Sequence, residues 1–329
     1  VKGNQKVVPG IYKAVPNGKA VPVLKEKNYK MKEVSKPPVR LEDANLFYVN
    51  ERAAQAADYE DYFELNNQPI QDVQVVGKDL YFTKLLVRSV YAGSCGGGGA
   101  DILEIYKRSS NGKITKVTSD RVSSDAKNRF KVIGSYIYYA KVENEAMSNF
   151  TIIKSSLDGK KKQILYKGVE DFWIHQNQIY FVKDGKLYSM GMDGKGVKSI
   201  TSIKTKIYGG SGCDGGNYFV SDNGFSVTDY SGEKSVEYYL DFTSKKVMKL
   251  PVPDMDSPIL DVDFKKNRFV SEFFDGDQLI VGVYDFKGKL LRKLKAYDPW
   301  SSGTYIYSVD AKSGQLLYVE GASLKEIKF

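Results

Sequence analysis

A short unit recurs along this chain of 329 residues, and its period constrains the fold more than any other feature. "IYKRSSNGKITKV" from Ile105 is matched by "IIKSSLDGKKKQIL" from Ile152, "LYSMGMDGKGVKSI" from Leu187 and "VYDFKGKLLRKL" from Val283. Each is an apolar strand, a turn carrying Gly-Lys, and a second short strand. Asn111-Gly112, Asp158-Gly159 and Asp193-Gly194 are tight hairpin signals, because Asn, Asp and Gly tolerate positive φ. A second element precedes each hairpin: "VVGKDLYFTK" from Val75, "VIGSYIYYAK" from Val132, "WIHQNQIYFVK" from Trp173. One unit therefore holds four strands, here a to d.

The aromatic b strands centre on Phe47, Tyr81, Tyr138, Tyr180, Tyr218, Phe269 and Leu317. A spacing of roughly forty residues is that of four-stranded propeller blades. The expectation is an all-β, seven-bladed β-propeller of four-stranded antiparallel blades, forming one domain. Its blades fall near 38–73, 74–120, 130–168, 171–202, 206–252, 258–297 and 303–329. No segment carries the long 3.6-residue periodicity that an α/β fold requires. Strands from both termini are expected to close the ring. The basic segment 1–36, with its Ile11–Val23 hairpin, would supply the outer strand or strands of the last blade. "SLKEIKF" from Ser323 also reads as a c strand, which leaves one strand too many.

"LYFTK" from Leu80, "IYYAK" from Ile137 and "IYFVK" from Ile179 carry a resemblance. They stand where the YWTD-type propellers of the low-density-lipoprotein-receptor family have their Tyr-Trp-Thr-Asp strand. The unit is more similar still to a bacterial repeat family that resembles those propellers and has no defined function. The Trp of that family is absent here, and its Asp is replaced by Lys or Asn. The resemblance implies fold and not activity.

Charge narrows the partners. Lys plus Arg number 49 against 40 Asp plus Glu, a formal net charge of +9. Lysine dominates over arginine and no nucleic-acid-binding pattern appears, so no nucleic acid partner is expected. No apolar run is long enough to span a bilayer. The start at Val1 fits a processed product, and an exported, extracellular or cell-surface monomer is expected. The b-to-c and d-to-a connections share one face of a propeller, and the long ones lie there. The Lys-rich c–d turns fall on the opposite face.

Candidate chemistry is sparse. "SCGGGGAD" from Ser94 lacks the Lys-Ser or Lys-Thr of a phosphate loop and reads as the tip of the longest b–c hairpin. His175 is the one histidine, so no His-rich metal site can form, and a turn role is expected for it. Cys95 and Cys213 place toward opposite faces, so a disulfide between them, open only to an exported protein, is not expected. No cofactor is expected. Calcium alone is compatible with paired turn carboxylates, at Asp254 and Asp256 and at Asp261 and Asp263, although solvated acids explain them. Tyr59, Arg88, Tyr91, Asp101, Tyr230 and Trp300 are the candidate binding residues on the elaborated face, since aromatics anchor recognition surfaces. The function expected is a non-catalytic module recognising a protein or glycan. Two alternatives stand beside it: a lyase or hydrolase with its site at the central funnel, and electrostatic attachment to an anionic cell-wall polymer.

Overall fold

The computed structural model describes residues 10–18, 21–25, 31–34, 47–49, 62–65, 70–93, 96–123, 130–143, 149–209, 216–221, 223–232, 235–251, 258–298, 304–320 and 323–329. Every regular element among them is a β-strand. The chain is an all-β propeller of six antiparallel blades, five of four strands and the last of three among the described residues. The expected seven blades are one too many.

The blades fall into two compact units of three. The first unit spans 26–200 and 209–216. Its blades are β6 (Ile70–Val76) to β9 (Ile114–Lys116), β11 (Phe130–Ile133) to β14 (Lys162–Val169), and β15 (Asp171–His175) to β18 (Lys198–Ser199). The second unit holds 1–25, 201–208 and 217–329. Its blades are β19 (Tyr218–Val220) to β22 (Val247–Pro251), β23 (Ile259–Asp263) to β26 (Leu290–Tyr297), and β27 (Thr304–Asp310) to β29 (Ser323–Lys328).

Among the described residues, the range 38–73 forms no blade of its own. β4 (Phe47–Val49) is not a b strand. It runs parallel to β7 (Asp79–Gly93), meeting it at Val87, and antiparallel to β5 (Tyr62–Leu65), which pairs on with β3 (Met31–Val34). The physical reason lies in β7. That strand has 15 residues, while β6 covers it only as far as Lys84. The remaining edge offers unpaired backbone groups, and β4 takes them up. Tyr218 is also shifted by one strand. It lies on β19, the first strand of its blade, and β20 (Gly224–Asp229) follows as the second.

The strand surplus at the termini resolves too. β29 is the third strand of the last blade. β1 (Gly10–Lys13) and β2 (Val21–Lys25) pair with each other. What the amino-terminal hairpin gives to β29 is its turn. The Asn17 N–H donates to the Leu324 carbonyl at 2.8 Å, and the Glu326 N–H donates to Asn17 Oδ1 at 3.1 Å.

Apolar layers hold consecutive blades together inside each unit. In the first, Tyr138, Ile152, Phe172, Ile179 and Phe181 form one layer. In the second, Tyr239, Ile259, Val262, Phe269 and Tyr284 form another. Strands are therefore buried on both faces, as β23 is along its whole length. Burying one such large side chain contributes about 1.5–3 kcal/mol.

The turn between β13 (Phe150–Ser156) and β14 shows how tightly a hairpin tip can seat. Gly159 has φ +75°, and a Cβ there would lie 1.7 Å from the Val117 carbonyl oxygen. Gly134 has φ +57° with nothing within 4 Å of its would-be Cβ. Gly159→Ala is expected to cost about 3 kcal/mol in urea unfolding, from strain plus overpacking, and Gly134→Ala about 1 kcal/mol, from strain alone. Equal costs would contradict the close approach at Val117.

Candidate functional site

In an antiparallel meander the connections alternate between two ends of the blade. At one end lie the first-to-second and third-to-fourth turns. At the other lie the second-to-third connections and the crossings to the next blade, and it is here that candidate binding residues gather in each unit.

In the first unit this end carries a β-arm. β7 pairs with β8 (Gly96–Arg108) from Leu80↔Arg108 out to Gly93↔Gly96. β9 covers β8 only at Tyr106 to Arg108, and β10 (Val122–Ser123) touches it at Leu103 and Ile102. The glycine tract is therefore strand and not loop: Gly96 to Gly99 pair with Gly93 to Val90. Glycine weakens a strand, yet it suits a place where no cross-strand side chain is needed. Arg88 and Asp101 are direct cross-strand partners, and Tyr91 stands opposite Gly98. The structure thus brings three of the predicted binding residues together on one arm. Tyr59, Trp300, Cys95, Cys213, Asp254 and Asp256 lie outside the described residues.

In the second unit the same end exposes aromatic rings. Tyr230, just past β20, is 38% exposed, Phe274 at the end of β24 (Arg268–Asp275) 50%, and Tyr305 and Tyr307 on β27 55% and 63%. A bulge between Ile306 and Ser308 leaves Tyr307 without a cross-strand partner. Ion pairs frame this end: Lys293 with Asp275 at 3.2 Å, and Lys295 with Glu320 at 2.9 Å. Lys295 also lies 4.7 Å from the centre of the Tyr318 ring. Sequence reasoning found Tyr230 and missed the other three. The pattern Tyr305-Ile306-Tyr307 did carry the period-2 signal that sets two rings on one face.

Beneath the rings lie buried acids, which the sequence also did not single out. Glu237 on β21 (Val236–Asp241) accepts the Ile259 N–H at 2.9 Å and the Thr228 hydroxyl at 3.5 Å. Its carboxyl is pushed from its ordinary 4.5 up to about 7 by burial, against the Ile259 N–H and the Ser226 and Thr228 hydroxyls. Glu272 is raised by burial as well, and accepts the Tyr297 hydroxyl at 3.3 Å.

The two described calcium candidates are engaged by protein groups. Asp261 is fully buried and accepts the Tyr239 hydroxyl at 3.1 Å, the Ala311 N–H at 2.6 Å and the Asn223 amide at 3.2 Å. Asp263 accepts the Lys265 and Lys266 N–H groups at 3.0 and 3.2 Å, and Arg268 Nε stands 3.5 Å from its other oxygen. Among the described residues no three His, Cys, Asp or Glu side chains converge to hold a metal. His175 closes β15 opposite Gln178, half-buried.

A general acid or base must reach the proton it moves. Glu237 is 1% exposed and Asp261 0%, and their described partners are main-chain and side-chain donors of neighbouring strands. Exposed rings set beside ion pairs, by contrast, can stack on a ligand and orient it.

No protein-family model matches the chain, and no curated protein matches it. Solved structures are similar in fold. Prolyl oligopeptidase B from Galerina marginata aligns at TM-score 0.47 and 13% identity, over 80% of this chain and 40% of that one. The β-propeller domain of the Trilobed protease from Pyrococcus furiosus aligns at 0.35 and 10%, over 79% and 95%. TolB from Acinetobacter baumannii aligns at 0.33 and 14%, over 70% and 60%. The chain spans less than half the length of the prolyl peptidases it matches. These likenesses concern the fold alone.

Glu237 gives stability a pH dependence of known sign. The folded chain keeps this proton up to about pH 7, whereas the unfolded chain releases it near 4.5. The stability it confers is complete below pH 4.5 and is lost as pH rises toward 7, a change on the order of 3 kcal/mol. Glu237→Gln, neutral at every pH, is expected to lack this decline when urea unfolding is followed from pH 4.5 to 8. The same slope in both proteins would contradict the assignment.

Proposed function

We propose that this chain is a non-catalytic recognition module that takes a protein or glycan ligand at the connection end of its blades. The observation that supports this most is the group of exposed rings at that end of the second unit, Tyr230, Phe274 and Tyr305, with Tyr307 further along the same strand. Large aromatic side chains lose little conformational entropy on binding and offer wide apolar faces with polar edges. The ion pairs of Lys293 and Lys295 add fixed charge beside them. In the first unit the β7–β8 arm adds a long backbone ladder beyond the reach of β6 and β9, a form suited to contact with an extended partner.

The alternative of an enzyme draws on the buried carboxylates, and their geometry favours a structural role. Glu237 and Asp261 each accept a main-chain N–H from a neighbouring blade. A catalytic pair would instead stand open to a substrate.

The test compares the wild-type chain with Phe274→Ala/Tyr305→Ala on a glycan array and a displayed-peptide panel, with titration calorimetry on each hit. Both residues are exposed, so the fold is expected to stay within about 0.5 kcal/mol of wild type. Hits are expected to weaken at least 10-fold, a loss typical of an anchor side chain. Unchanged affinities, or turnover of any hit, would overturn the reading.

A further inference from the structure

The opposite end of the second unit is built differently, and nothing in the recognition reading uses it. There the turns of three blades are stitched into one surface. The Phe242 N–H donates to the Asn223 carbonyl at 2.9 Å, and the Phe286 N–H to that of Asn267 at 3.2 Å. Arg268 Nη2 donates to the Ala311 carbonyl at 2.9 Å, and Lys312 Nζ reaches Asp241 at 2.8 Å. Asp261, beneath them, receives donors from both Asn223 and Ala311.

These turns separate charge by depth. Four of them begin with an aspartate whose carboxylate caps the main chain of its own turn. Asp241 accepts the Ser244 N–H at 2.6 Å, Asp263 those of Lys265 and Lys266, Asp285 those of Lys287 and Lys289 at 2.9 Å, and Asp310 that of Ser313 at 2.9 Å. Asp241 and Asp263 are buried, and Asp285 and Asp310 half-buried. The turns begun by Asp241, Asp263 and Asp285 each carry two lysines. Lys245, Lys246, Lys265, Lys266, Lys287 and Lys289 are all exposed. Carboxylates thus form a lower layer engaged by amides, with ammonium groups above it.

The geometry points to this face as a binding surface for a flexible phosphate polymer. Lysine ammonium groups are point charges with no fixed fork, so they read charge density and not the plane of a single anion. The one arginine here, Arg268, is held beneath the surface with only 14% of its side chain exposed. Nucleic acid would call for exposed rings to stack its bases. Phe242 is buried, and Phe264 and Phe286 are half-buried and pack edge to face at 6.3 Å. The surface therefore offers the charge that a phosphate chain needs without the stacking that bases need.

Inorganic polyphosphate is the probe, with oligo-dT as the comparison, each titrated by fluorescence anisotropy across a salt series. Wild type is expected to bind polyphosphate more tightly than oligo-dT and to weaken steeply as salt rises. The variant Lys246→Gln/Lys265→Gln/Lys287→Gln/Lys289→Gln is expected to lose at least 10-fold at low salt. Its log–log salt slope should fall by about 3, the value for four lost phosphate contacts. The pair Lys186→Gln/Lys198→Gln, exposed lysines of the other unit, is expected to change neither quantity by more than about 2-fold, at the level of one weak contact. Thermal unfolding of each variant establishes that it is folded. Binding that survives the fourfold variant, binding indifferent to salt, or tighter binding of oligo-dT would overturn the proposal.

Discussion

A four-stranded β-meander has two faces and can bury neither by itself. Within each unit a blade must therefore lie against its neighbour, and the rest of the structure follows from that demand. It explains strands apolar on both faces, as in β23, and the rings of Phe172, Phe181 and Phe269 that have no solvent exposure. Function is correspondingly left to strand ends and turns, because the faces are consumed in packing.

The same demand explains the buried acids. Where a strand of one blade approaches the next, main-chain N–H groups at the blade edge need acceptors. Glu237 supplies one for Ile259, and Asp261 one for Ala311. Both carboxyls are raised by burial, as expected for groups withdrawn from water. Perturbed acids are often read as catalytic, but here the donors around them belong to the scaffold. In the second unit the two ends differ, with exposed rings beside the ion pairs of Lys293 and Lys295 at one and exposed lysines above capped aspartates at the other.

Much of this was legible in the residues. The Gly-Lys turns and aromatic strands fix an all-β repeat, because hairpin chemistry and period-2 burial act locally. The blade number was not legible, because "LFYV" from Leu46 has the composition of a blade strand. Its partner is set by the unpaired edge of β7, a tertiary fact. Gly96 to Gly99 lie at the outer end of the longest b–c hairpin, as expected, and they pair there as strand opposite Val90 to Gly93, since only backbone is needed. Among candidate residues, Arg88, Tyr91 and Asp101 meet on the arm as their spacing around the hairpin implied. Glu237 escaped notice because nothing local distinguishes a buried glutamate in "SVEYYLDF" from an exposed one. Its partner Ile259 lies 22 residues on and belongs to the next blade.

The central claim is that these carboxylates tie blades together and are not open to a substrate. Native-state hydrogen exchange tests it most directly, through the amides of Ile259 and Ala311. If the account holds, both exchange with the slowest class of the second unit, at a free energy equal to that of its unfolding. Fast exchange at either amide, through local opening that leaves neighbouring strands protected, would mean an accessible acid and would contradict the account.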